Sequence, residues 1–129
     1  MKTILPLFLL LCSCSGMISG KTYRLPKVDE RDIVLAEIKK NLHDTLAVQL
    51  NKQQISDFVG IVTDAPADIR KAIPRYWIVI QFGNDSVISY KVLDQYIGEK
   101  DWYVETDAAD SFKKVYETSK KTKSFIPLK

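Results

Sequence analysis

The sequence predicts a single small α+β domain, in which an antiparallel or mixed sheet of about five strands packs against two helices on one face. Its length of 129 residues suits one domain with one core. Two observations predict the mixed class: several segments alternate apolar and polar residues as strands do, and two segments have the apolar spacing of a helix. The expected order of elements is ββαβββα.

A β-hairpin over residues 75–92 is the most strongly predicted element. Residues 76–82 are aromatic or β-branched at every position except Gln81, and residues 87–92 keep a period of two. Gly83 and Asn84 lie in the loop between them, where we expect them to supply the positive φ of the turn. The hairpin should therefore form the centre of the sheet.

Residues 31–50 carry two competing patterns. Alternating apolar residues predict two strands, at residues 32–38 and 45–50, joined by the polar residues 39–44. One helical face would instead be formed by Leu35, Ile38, Leu42 and Leu46. We favour the two strands, because turn-forming residues cluster between them.

The first helix is predicted by its cap as well as by its apolar spacing. Asn51 and Gln54 have the spacing of a capping box, and they precede an amphipathic stretch at residues 52–63. A proline and an aspartate follow that stretch and should end the helix. Residues 67–74 are then expected to form a connection, with a short helical turn at residues 67–71.

The C-terminal part of the chain predicts one more strand and one more helix. Residues 93–98 lead out of the hairpin, and the alternating residues 101–106 are typical of a strand. Asp107 is expected to cap the final helix, with Asp110 near the positive end of its dipole. The Lys-rich residues 120–129 should be held loosely, except where their apolar side chains dock.

The first fourteen residues have the features of a targeting segment. Lys2 precedes an apolar stretch at residues 4–11, which is too short to cross a bilayer as a helix but suits a signal peptide. The next positions read Leu11-Cys12-Ser13-Cys14. This arrangement resembles the lipobox of bacterial lipoproteins, with Cys14 as the cysteine to be modified.

The resemblance to lipoproteins implies an address and an anchor. It implies that residues 1–13 are removed as a signal peptide and that Cys14 is acylated, so that its partner is the lipid bilayer. Residues 14–30 then form the lipidated tether, and residues 31–129 form the domain. Ser15 differs from the aspartate that retains many lipoproteins at the inner membrane, which favours the outer membrane, facing the periplasm. The alternative is an ordinary secretory signal that contains two cysteines by chance.

The distribution of charge and cysteine excludes several classes of function. The cysteines all lie in the first fourteen residues, so the domain has neither a disulfide nor a cysteine-based metal site. Residues 113–129 contain six lysines and one glutamate, a net charge of +5, whereas residues 21–112 carry a net charge of −3. Nucleic acid is not an expected partner of an exported protein, and a solvated basic tail is the simpler interpretation.

No motif in the sequence predicts catalysis, and no cofactor is expected. His43 is the one histidine, and its neighbour Asp44 lies in the same predicted turn, so the two side chains are poorly placed to act together. Neither a nucleophile elbow, a phosphate-binding loop nor a zinc-protease motif occurs. We therefore predict no catalytic residues and no metal ligands.

The acidic residues near the end of the chain are a weaker candidate site. They are Asp101, Glu105, Asp107 and Asp110. Such a group is also consistent with a calcium site or an acid pair, and hence with a weak enzyme. Helix capping already explains the last two, however, and the spacing matches no calcium-binding loop.

Aromatic residues are the feature that best predicts a binding surface. Six of them lie in and around the predicted strands: Tyr76, Trp77, Tyr90, Tyr96, Trp102 and Tyr103. Half should pack under the helices, and the rest should lie on the open face or edge of the sheet, where tryptophan and tyrosine commonly dominate binding. We predict Trp77, Tyr90 and Trp102 as residues that bind a protein partner.

Together these features favour an envelope lipoprotein that acts as a small protein-binding or inhibitory module rather than as an enzyme. By architecture the chain is similar to small envelope lipoproteins that neutralise an enzyme, such as immunity proteins and enzyme inhibitors. The alternative is an accessory subunit of an envelope assembly or transport complex.

Overall fold

The computed structural model describes residues 23–126, and the strands in this range form one antiparallel sheet. The helices are α1 (Lys52–Val62) and α2 (Ala108–Thr118), and a 3-10 turn spans Glu30–Asp32. The strands are β1 (Tyr23–Arg24), β2 (Ile33–Lys39), β3 (Leu46–Gln49), β4 (Pro66–Ile69), β5 (Tyr76–Phe82), β6 (Val87–Val92), β7 (Tyr96–Glu99), β8 (Trp102–Glu105) and β9 (Thr122–Lys123). Their order across the sheet is β1-β4-β8-β7-β6-β5-β2-β3-β9. The predicted α+β class is confirmed.

The sheet has nine strands in the described residues, not five. The predicted helical turn at residues 67–71 is wrong, because this segment contains β4, which pairs with β1 and β8. The predicted connection at residues 93–98 contains the start of β7. The edge strands β1 and β9 have two residues each, too few to show a period of their own.

The sequence predicts that the folded domain starts at residue 31. In the structure, residues before 31 already pack with it. Tyr23 pairs with Ala67 as part of β1. Leu25 and Val28 are buried in the core, and the Leu25 amide donates to the Ala65 carbonyl at 2.9 Å. Residues 23–30 therefore pack with the domain, although the prediction assigned them to a tether.

The predicted hairpin is confirmed and supplies the two central strands β5 and β6. Its register pairs Ile78 with Tyr90 and Ile80 with Ile88. The turn differs in one detail, since the positive φ of 69° belongs to Asp85 rather than to Gly83 or Asn84. An aspartate tolerates this left-handed conformation better than most residues do.

The ambiguity over residues 31–50 is resolved in favour of two strands. β2 lies beside β5, and it pairs with β3 on its other side. The alternative helical face is therefore wrong. Residues between the strands form a turn, in which the Asp44 amide donates to the Asn41 carbonyl at 3.0 Å.

Both helices pack on the same face of the sheet, as predicted. Phe58 of α1 meets the ring of Tyr90 at 4.9 Å and the ring of Phe112 at 5.7 Å, each edge to face. These contacts place one core between the two helices and the central strands.

The capping hydrogen bonds predicted from the sequence are present at α1 but not at α2. At α1 the predicted capping box is confirmed, because the side chains of Asn51 and Gln54 each accept from the other residue's backbone amide at 2.8 Å. At α2 the side chain of Asp107 makes no capping hydrogen bond. Thr106 contributes instead, since its hydroxyl accepts from the Ala108 amide at 3.2 Å.

Candidate functional site

The face of the sheet opposite the helices carries a row of side chains that crosses five strands. Paired positions run from Lys39 on β2 to Trp77 on β5, Lys91 on β6, Gly98 on β7 and Tyr103 on β8. Their neighbours along each strand belong to the helix-covered core, and side chains alternate between the faces of a sheet. The row therefore lies on the side that the helices leave open.

Cations lie against aromatic rings at two places on this face. The Nζ atom of Lys91 is 6.0 Å from the centre of the Trp77 ring. The guanidinium of Arg70 is 4.0 Å from the centre of the Tyr96 ring, and Tyr96 shares a face with Gly98. We call Trp77, Lys91, Tyr96 and Arg70 the aromatic strip. It combines two aromatic rings with two cations on one face of the sheet.

Tyr103 is packed against the backbone rather than exposed. A Cβ atom built on Gly98 would lie 2.7 Å from the Cγ atom of Tyr103, so the ring occupies the space that any other residue at 98 would need. Burial, followed by the charge of Asp101, raises the pKa of the Tyr103 phenol. Tyr103 thus fills the space over Gly98 and offers a partner little surface.

The three residues predicted to bind a partner lie in different places. Trp77 is partly exposed on the open face, as predicted. Tyr90 is fully buried on the helix side, where it is paired with Ile78, so Lys91 flanks Trp77 instead. Trp102 also lies on the helix side, and its ring stacks on Tyr23 at 4.4 Å. Of the three, only Trp77 offers its ring to the open face.

Tyr96 is one of the six aromatic residues named from the sequence, but it was not selected as a contact residue on the open face. The period of two along β7 places it on the same side as Gly98. That signal was present in the sequence, but a four-residue strand could not be recognised before its partners were known. Arg70 was missed for the same reason, because it follows β4, which was predicted as a connection.

A cleft of about 290 Å³ lies at one end of the row, beside Lys39. Its lining consists of Lys39, His43, Asp44, Thr45, Lys123, Ser124, Phe125 and Ile126. We call it the Lys39 cleft. The turn after β2 forms one wall, and the segment after β9 forms the other.

The segment after β9 is held on the sheet by a buried carboxylate. Glu37 of β2 is 0 % exposed and accepts hydrogen bonds from the Ser124 hydroxyl at 2.7 Å and from the Phe125 amide at 2.8 Å. The side-chain amide of Gln49 donates to the same carboxylate. A buried carboxylate that accepts three hydrogen bonds is well satisfied, so these residues fix the wall of the Lys39 cleft.

The other sequence candidates do not assemble into a reactive centre. His43 is exposed in the predicted turn, and the Asp44 carboxylate accepts from the Asn41 amide at 3.0 Å. Asp110 pairs with Lys114 one helical turn away, at 3.2 Å. Within residues 23–126 no three acidic, histidine or cysteine side chains converge as metal ligands.

Comparison with known proteins adds no identification. No protein-family model matches the chain, and neither a curated protein nor a solved structure shows significant similarity to it. Neither α1 nor α2, the helices of the described part, is long and apolar enough to cross a membrane. The lipobox-like segment and Cys14 lie outside the described residues.

Proposed function

We propose that this protein is a membrane-anchored envelope lipoprotein that acts by binding another protein, as an inhibitory or immunity module does, rather than by catalysis. The observation that supports the proposal is the aromatic strip on the open face of the sheet. Tryptophan, tyrosine and arginine are the residues most enriched where binding energy concentrates, and here they occur together.

The charge of the strip indicates the kind of surface that it would meet. Lys91 and Arg70 place cations over its two rings, at 6.0 Å and 4.0 Å. An apolar patch bordered by acidic side chains would complement it. We expect such a patch on the partner.

The test uses a photo-crosslinking residue placed at position 77 in the cell, followed by affinity measurements with the purified partner. We expect a discrete crosslinked product from position 77 and none from position 73. Trp77→Ala should weaken binding by about 2 to 4 kcal/mol, as is typical of a hot spot. Ile73→Ala is the matched control, because Ile73 is the most exposed large apolar residue in the described chain. Unchanged affinity of a folded Trp77→Ala variant would show that the strip is not the binding surface.

The stoichiometry of the crosslinked complex distinguishes an inhibitory module from an accessory subunit. A binary complex that suppresses the activity of an enzyme supports the inhibitory module. Recovery within a larger envelope assembly would favour the accessory subunit.

The anchor has its own test. Cys14→Ala should abolish incorporation of a fatty-acid analogue, whereas Cys12→Ala should leave it intact, because the proposed acyl acceptor is the thiol of Cys14. Label retained in the Cys14 variant, or lost in the Cys12 variant, would show that Cys14 is not the lipidation site. Neither result would bear on the aromatic strip.

A further inference from the structure

Lys39 is a buried cation with little to neutralise it. The residue is 2 % exposed, and its ammonium makes one long hydrogen bond in the described chain, to the Leu42 carbonyl at 3.5 Å. An ammonium carries three donors. Within residues 23–126 no carboxylate lies within 4 Å of it. A buried charge is costly unless it is paired, so this position is suited to an anion that completes it.

The acidic residues nearest to Lys39 in the chain already have partners. Glu37 lies on the same face of β2, but its carboxylate accepts from the side chain of Gln49, from Ser124 and from Phe125. Asp44 lines the cleft, yet its carboxylate accepts from a backbone amide of its own turn. Neither carboxylate forms a direct ion pair with the Lys39 ammonium, so the cleft beside Lys39 remains open to an anion.

The Lys39 cleft offers room and further donors for such an anion. Lys123 also lines the cleft, together with His43 and Thr45, whose side chains carry a ring nitrogen and a hydroxyl. Two lysines against one aspartate leave the lining with positive charge. A volume of about 290 Å³ suits a small group rather than an extended ligand.

We propose that the Lys39 cleft binds a phosphate group. Lysine ammonium groups act as point charges and bind phosphate from several directions, whereas a planar carboxylate is matched better by the arginine fork. Here Lys39 belongs to β2 and Lys123 to β9, so a tetrahedral anion held by both would join these two strands. The site is separate from the aromatic strip, and it does not depend on the proposed binding function.

The experiment titrates inorganic phosphate into the purified full chain, in nonionic detergent and at constant ionic strength maintained with chloride. Amide chemical shifts are the readout. We expect saturable shifts confined to residues 39–45 and 122–126. Lys123→Met should weaken the affinity about fivefold, as expected for the loss of one partly solvated charge near the ligand. Lys120→Met is the matched control, because it removes an exposed lysine outside the cleft with the same change in net charge.

Lys39→Met should lower the affinity by more than Lys123→Met does, because Lys39 is the buried cation. Should this variant fail to fold, the comparison of Lys123→Met with Lys120→Met still decides the matter. Equal affinities of those two variants, or shifts that chloride reproduces, would overturn the proposal.

The same variants identify the source of the phosphate. Vesicles of phosphatidylglycerol form the second arm, with binding measured by co-sedimentation. Weaker vesicle binding by Lys123→Met than by Lys120→Met would assign the site to a lipid headgroup. A difference seen with inorganic phosphate alone would assign it to a soluble phosphate.

Discussion

Replacing Gly98 by alanine tests the packing of the open face most directly. An ideal Cβ atom at this position would lie 2.7 Å from the Cγ atom of Tyr103 and would also collide with the backbone carbonyl of Trp102. Carbon atoms of real side chains are essentially never found that close. Because one obstacle is backbone, rotation of the Tyr103 ring cannot relieve the clash by itself, and β7 or β8 must move.

The size of the effect follows from the cost of overpacking. Inserting a methyl group into a well-packed site typically costs about 1 to 3 kcal/mol. A domain of this size loses roughly 4 to 8 °C of melting temperature for each kcal/mol. We therefore expect Gly98→Ala to lower the melting temperature by roughly 4 to 24 °C.

The same substitution at Gly60 is the matched control and should act in the opposite direction. Gly60 lies in the interior of α1, and a Cβ atom there would meet nothing within 4 Å. Alanine in a helix interior is more favourable than glycine by about 0.5 to 1 kcal/mol. Thermal unfolding followed by circular dichroism compares the two variants. Stabilisation by Gly98→Ala, or destabilisation of equal size by both, would refute the packing of Tyr103 over Gly98.

Three further predictions concern the core and the first helix. Ile80→Asp should cost several kcal/mol because Ile80 is fully buried, whereas Val34→Asp, at a residue that is 57 % exposed, should cost much less in the same denaturant titration. Burial raises the pKa of the Tyr90 phenol, so the folded state keeps this proton at a pH above the unfolded pKa of about 10. The free energy of unfolding should therefore be at its full value below that pH and should decrease as the pH rises above it. This decrease should be less steep in Tyr90→Phe, which has no phenol to titrate. The Tyr90 hydroxyl is also buried without a partner in the described residues, so Tyr90→Phe should be at least as stable as the wild type at neutral pH, and a lower stability would contradict this packing. Asn51→Ala should cost about 1 kcal/mol through loss of the capping box, and an unchanged unfolding midpoint would contradict that cap.

Long periodic elements could be predicted from the sequence, because their signal is local. The hairpin, α1 and α2 each contain enough residues to display a period, and the capping box lies within four consecutive residues. β4 and β7 have only four residues each, and they are strands because neighbouring strands pair with them. Their existence depends on contacts between distant parts of the chain, which a single segment cannot reveal.

The sequence predicts only in part which face of the sheet each aromatic side chain lies on, because this too depends on pairing between strands. Alternation along β5 correctly separates Trp77 from Ile78, because it depends on one strand. The side of Tyr90 depends also on the register between β5 and β6, which pairs it with Ile78 rather than with Trp77. A register shift of one residue exchanges the two faces of a strand. For this reason Tyr90 lies on the helix side of the sheet rather than beside Trp77 on the open face.

Lys39 lies next to the aromatic strip and also lines the Lys39 cleft, and this decides which variants can separate the functions of these two surfaces. Its backbone is paired with that of Trp77, at the end of the row that contains the aromatic strip, while its side chain lines the cleft. Lys39 is therefore a neighbour of Trp77 as well as a member of the cleft, so its substitution does not test the cleft alone. Trp77 and Lys123 each belong to one surface, so their variants can fail independently. Loss of partner binding in Trp77→Ala with phosphate binding retained, and the reverse in Lys123→Met, is the pattern expected of two separate sites on one sheet.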